Sequence, residues 1–147
     1  MQGVSILTKE TVNNSSTPKP SVETSFPLDL EGLVDENTIL VQRTLRSGQS
    51  VYHDGNVVVL GDVNPGAEVV ASGNVIVMGA LRGVVHAGAK GDSDALVLAF
   101  RLRPTQLRIA NHITRPPEDE SSDPEYPEMA RIKNGVVTIE TFNTQMR

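Results

Sequence analysis

An aliphatic residue returns every six positions along the middle of the chain: Leu33, Ile39, Leu45, Val51, Val57, Val63, Val69, Val75, Leu81 and Ala87. A six-residue period is too short for two paired strands with their turns, and it does not fit the 3.6-residue period of a helix. It suits a chain that turns a corner every six residues, so that three sides close one coil of eighteen. The longer repeat is directly visible. Residues 51–61 lie over residues 69–79 with Gly-Asn-Val and the closing Gly kept in place. The expected architecture is all-β, a triangular parallel β-helix with eighteen residues per coil.

Glycine placement supports the corners. Gly55, Gly61, Gly73 and Gly79 each lie four places after an inward aliphatic, and Ala67 holds the same register. Tight bends favour a residue without a side chain. With three Phe, two Tyr and no Trp, the interior has to be built from Val, Leu, Ile and Ala, which suits a narrow coil.

The same totals exclude several classes of function. The chain has no cysteine, so disulfides, thiolate catalysis and Cys-based metal sites are ruled out. No run of eighteen apolar residues and no basic-then-apolar leader pattern occurs in the sequence. A cytoplasmic location is expected, with any membrane association made through a partner. The net charge of −5 divides unevenly. Residues 1–38 carry −4, residues 39–115 carry +3 and residues 116–147 carry −4. Three excess positive charges spread over the repeat make a poor case for nucleic acid, which usually needs a basic stripe. A protein partner with an acidic surface fits better.

The expected organisation is a disordered tail or linker over residues 1–37, the β-helix over 38–115, an acidic Pro-rich loop over 116–129 and capping strands over 130–147. Ser, Thr, Asn and Pro dominate the start of the chain, which is too polar to offset its ordering entropy. Asn134-Gly135 is a hairpin turn signal, and a strand pair there could cover the open end of the coil. The period slips once, inside residues 88–94. Two extra residues restore it, placing Ala95, Leu107 and Ile109 inward and leaving Arg101 a misfit.

Residues eighteen apart become neighbours on an outer face. One side is then apolar, with Leu40, Val58, Ile76 and Leu96 in one row and Leu60, Met78 and Leu98 beside it. A stripe of that size points to a two-fold homodimer interface; the other reading is that the N-terminal tail or the 116–147 segment folds over it. A second side carries Tyr52, Val70 and Gly88, then Asp54, Ser72 and Lys90. The third begins with Arg46, Asn64 and Arg82. At one corner Arg46-Ser47-Gly48-Gln49 lies under Asn64-Pro65-Gly66-Ala67-Glu68. Gly48 and Gly66 stack, which makes an open backbone shelf ringed by a cation, a hydroxyl, an amide and a carboxylate. That shelf suits close approach by a protein partner, though an ordinary solvated corner would look the same.

Nothing points to catalysis. Gly88-Ala89-Lys90-Gly91-Asp92 lacks the spacing of a phosphate loop and no helix follows it. His53, His86 and His112 have no metal-ligand spacing. No cofactor, metal or catalytic residue is expected, and the chain reads as a non-enzyme.

The run Arg46-Ser47-Gly48-Gln49, Gly66-Ala67-Glu68, Gly73-Asn74, Gly79-Ala80-Leu81-Arg82-Gly83 and Ala87-Gly88-Ala89-Lys90-Gly91-Asp92 resembles the C-terminal domain of the MinC family of septum-site-determining proteins. The resemblance covers about residues 38–140. It implies a right-handed coil and a homodimer formed through one apolar face. It also implies binding to the ATPase MinD, which carries MinC to the inner face of the membrane. Arg46, Ser47, Gly48, Gln49, Gly66 and Glu68 match the family's MinD contact. The implied role is to inhibit assembly of the division protein FtsZ away from mid-cell. Family members usually carry a separate N-terminal inhibitory domain. About 37 residues precede the repeat here, so either this is a shortened form or the start is missing from the sequence. Two rival readings are a hexapeptide-repeat acyltransferase, disfavoured by the short array and scattered histidines, and a bactofilin-like scaffold polymerising through uncapped ends.

Overall fold

The computed structural model describes residues 37–115 and 125–142. The chain divides into units 1–35 and 36–147, and the described residues belong to the second. The tail expected over 1–37 lies outside them except for Asn37, as does most of the loop expected over 116–129.

All regular structure among the described residues is β. Strands β1 (Thr38–Val41), β3 (Asn56–Val59), β5 (Val75–Leu81) and β7 (Val97–Leu102) stack in parallel on one side of the coil. Strands β2 (Ser50–His53), β4 (Glu68–Ala71), β6 (Val84–Ala87) and β8 (Gln106–Ile109) stack in parallel on a second. On the third side single bridges link Leu45 to Val63 and Val63 to Leu81, and beyond them the ends of β5 and β7 pair Ala80 with Arg101 and Leu81 with Leu102. This is a triangular parallel β-solenoid of about four turns.

The hexad residues form its interior. Val57, Val63, Val69, Val75, Leu81 and Ala87 are fully buried, and Leu45 nearly so. Removing one such Val or Leu from water contributes about 1.5–3 kcal/mol. The corners carry polar ladders that satisfy backbone N–H groups the strands leave over. Asn56 Oδ1 accepts from the backbone N–H of Asn74 at 2.8 Å, and Asn74 Oδ1 accepts from Leu96 N–H at 2.9 Å. Opposite them, Asp62 Oδ1 accepts from Ala80 N–H at 2.8 Å.

The eighteen-residue spacing holds between the first two coils and then changes. Val75 faces Val97, an offset of twenty-two, where two extra residues would have given twenty. The change arises at two corners. Ten positions separate Ala87 from Val97, where four separate Ala71 from Val75, so the loop after β6 holds six additional residues. The corner from Leu81 to Val85 is two shorter than the corner from Val63 to Val69. A longer loop offset by a tighter bend cannot be read from a period alone. Ala95, Leu107 and Ile109 are buried as expected, and Arg101 lies exposed opposite Ala80.

Two antiparallel additions cover the last coil. β9 (His112–Thr114) turns back on β8 through Ala110-Asn111. β10 (Glu128–Lys133) and β11 (Val136–Thr141) form a hairpin around Asn134-Gly135, both at positive φ, and β10 pairs with β7. β10 starts at Glu128, so the strand takes in the last two residues of the expected loop.

Candidate functional site

The corner between the third and second sides is built from two stacked turns. In the lower one, Gln49 N–H donates to Arg46 O at 2.9 Å. In the upper one, Ala67 N–H donates to Asn64 O at 2.9 Å. Each has glycine at its third position with φ +89°, and the upper has Pro65 at its second. These are features of a type II turn, which requires positive φ at that glycine. Gly48 N–H donates to Gly66 O at 2.9 Å and Glu68 N–H to Gln49 O at 3.0 Å, locking one turn on the other. Gln49 also reaches back, its Oε1 accepting from Arg46 N–H at 2.8 Å.

The six residues expected to form the contact are therefore adjacent. Arg46, Ser47, Gly48 and Gly66 are exposed, while Gln49 and Glu68 are half-buried at the edge. Space over Gly48 is open, and a Cβ on Gly66 would collide with Ser47 Oγ. The shelf does not extend to the third coil. There the shortened bend carries buried Gly83 against the carbonyls of Asn64 and Ala67.

Tyr52 was not among the expected site residues. Its hydroxyl donates to Glu68 Oε1 at 2.8 Å and its ring stands 67% exposed beside the shelf. The Glu68 carboxylate, through that hydrogen bond and its charge, raises the phenol above its ordinary range. The signal in the sequence was parity: Tyr52 points outward on β2, one strand below Glu68.

The apolar face is present with a different membership in its upper rows. Leu40, Val58 and Ile76 form one row, and Leu98, not Leu96, continues it. Leu96 sits at the corner, on the Asn ladder. Leu60, Met78 and Phe100, exposed by 44%, 44% and 43%, form the second row, where Leu98 was expected. On the second side His86, not Gly88, follows Tyr52 and Val70. The first shift follows from the offset of twenty-two between β5 and β7, and the second from the shortened bend before β6, which brings Val70 opposite His86 at an offset of sixteen.

Residues 39–142 match the family described as septum formation inhibitor MinC, C-terminal domain. The chain belongs to that family. Among MinC relatives, the probable septum site-determining protein MinC of Heliobacterium modesticaldum is 69% identical over 109 residues, covering 74% of this chain and 38% of the relative. That of Acetivibrio thermocellus is 56% identical over 113 residues, covering 76% and 50%. The chain thus spans about half or less of the length of these relatives. Among solved structures, a chain of the MinC:MinD cell division protein complex from Aquifex aeolicus has a TM-score of 0.70 at 42% identity, covering 71% of this chain and 86% of that one. No group of His, Cys, Asp or Glu that could hold a metal occurs among the described residues. Among the described residues there is no helix long and apolar enough to cross a membrane.

Proposed function

We propose that this chain is a non-enzymatic adaptor of the Min division-site system, a homodimer that binds the MinD ATPase and restrains FtsZ assembly away from mid-cell. The observation that carries the reading is the double-turn shelf. It exposes two glycine backbones beside Arg46, Ser47 and Glu68 on a rigid coil, in a chain 42% identical to one from a MinC:MinD complex. A rigid shelf with an exposed guanidinium binds a protein surface at low ordering cost. The apolar rows on the first side supply the dimer contact. The ATPase brings the adaptor to the inner face of the membrane, and neither nucleic acid nor a cofactor takes part. Antiparallel strands cover the last parallel rung at the C-terminal end, which disfavours an end-to-end scaffold.

Co-sedimentation with a MinD-type ATPase on lipid vesicles tests the proposal. The parent is expected to sediment with ATP and not without it. Arg46→Ala should weaken that binding at least tenfold, since loss of an interface Arg commonly costs about 2 kcal/mol. Its unfolding free energy should shift by about 0.5 kcal/mol or less, as for other exposed changes. Equal sedimentation of Arg46→Ala and parent would remove the shelf from the contact.

A further inference from the structure

The extra residues after β6 create a cleft that the partner shelf does not use. The loop folds beside the β8–β9 turn and encloses about 430 Å³, lined by His86, Arg108 and His112 together with Ala89, Gly91 and Ser93 of the loop. Its three ionisable side chains are all basic types. Among the loop's charged residues, Lys90 Nζ is 2.8 Å from Asp54 Oδ2, Asp92 Oδ1 accepts from Asp94 N–H at 3.0 Å, and Asp94 is exposed. His86 Nε2–H donates to Ala110 O at 2.9 Å, which pins the imidazole against the wall.

Three buried side-chain nitrogens among the described residues have no hydrogen-bond partner: Arg108 Nε, His112 Nδ1 and Arg131 Nε. Two of them belong to residues that line this cleft, and His112 also borders a smaller one beside β11. Buried polar groups are nearly always paired, and a guanidinium N–H can only donate, so the unpaired Arg108 Nε–H of a residue bordering a basic cavity points to a ligand that supplies acceptors. A guanidinium presents its donors in a fork that fits carboxylate and phosphate oxygens. The lining has no Phe, Tyr or Trp ring, and small Ala and Gly residues border it.

We infer that this cleft is a binding site for a small oxyanion, a phosphate or a small carboxylate, held by Arg108 and His112 with His86 as a fixed wall. The site is independent of the shelf, because Arg108 and His86 point outward from β8 and β6 on the later coils. Titration of the Arg108 Nε–H resonance with inorganic phosphate in one arm and succinate in the other, at constant ionic strength set by chloride, tests it. At least one anion should shift that resonance saturably, and the arm that does so identifies the source. Arg108→Gln should weaken the same binding at least tenfold, followed by calorimetry. Ser93→Glu, on an exposed loop position, sets a tethered carboxylate at the rim and should weaken it as well. Both variants should still co-sediment with the MinD-type ATPase, so failure here and failure of the shelf are separable. If neither anion saturates, or if Arg108→Gln and Ser93→Glu bind as the parent does, the site does not exist.

Discussion

Gly48 and Gly66 share a backbone angle of +89° but not a neighbourhood. A Cβ on Gly48 would meet nothing within 4 Å, whereas one on Gly66 would meet Ser47 Oγ and lie 3.0 Å from Ser47 Cβ. Positive φ costs a non-glycine residue about 1 kcal/mol or more, and the collision adds to that at Gly66 alone. Gly66→Ala should therefore lower the unfolding free energy by roughly 1 kcal/mol more than Gly48→Ala, measured by urea titration. Equal losses would mean that the Ser47 hydroxyl rotates clear of the added methyl. Gly66→Asp should also abolish ATP-dependent co-sedimentation, because its side chain would cover the shelf. The glycines were legible from their spacing. The part of Tyr52 is not legible from spacing, because its link to Glu68 is a diagonal contact between rungs rather than a same-column one.

The elements differ in how they are held. The first and second sides are continuous ladders, whereas the third has single bridges from Leu45 through Val63 to Leu81, one short pairing of Leu81 with Leu102, and the burial of those side chains. Leu81→Ala should cost about 2–5 kcal/mol, the range for large-to-small changes in a packed core. A loss below about 1 kcal/mol in urea would show that the third side collapses readily around the gap. The loop after β6 is held at its Lys90 end by Asp54, which also accepts from Ser72 Oγ at 2.7 Å. The hydrogen bond from Lys90 lowers the Asp54 carboxyl below its ordinary value, followed by the one from Ser72 and the Lys90 charge. A carboxyl lowered by folding stabilises the folded state above its unfolded pKa, and that contribution disappears as pH falls through the folded one. Amide exchange at residues 88–94, corrected for intrinsic rates, should show protection lost as pH is lowered below the ordinary carboxylate range. Asp54→Asn should already lack that protection at neutral pH. Protection in the parent that persists to low pH would mean the ion pair does not hold the loop.

At the scale of the whole molecule, the decisive surface is the first side, where Leu40, Leu60, Met78 and Phe100 stand exposed in adjacent rows. Several large side chains in contiguous rows exceed the scattered apolar exposure usual for a monomer. Ile76 lies at the middle of the first row, between Val58 and Leu98. Ile76→Asp should leave the coil folded and give a monomer by light scattering, because an unpaired carboxylate buried between two copies costs several kcal/mol. A dimer of unchanged dissociation constant would place the contact elsewhere. Phe100→Ser should weaken the dimer too, while Leu96→Ser should have a smaller effect because Leu96 lies at the corner.

The sequence by itself determined the architecture, since a six-residue apolar period can be buried only by a chain that bends at each sixth position. It also placed the glycine shelf, because stacking at eighteen residues is arithmetic as long as no loop intervenes. The tertiary structure alone decided the strand register beyond the second coil. There a six-residue insertion and a two-residue deletion act on different corners, and a linear pattern records only their net effect. Which of Leu96, Leu98 and Phe100 joins the apolar rows, and which of His86 and Gly88 faces outward, depends on strand register. The apolar pattern sets which face a residue takes, but the rung it pairs with depends on the lengths of the intervening corners, and those leave no periodic mark.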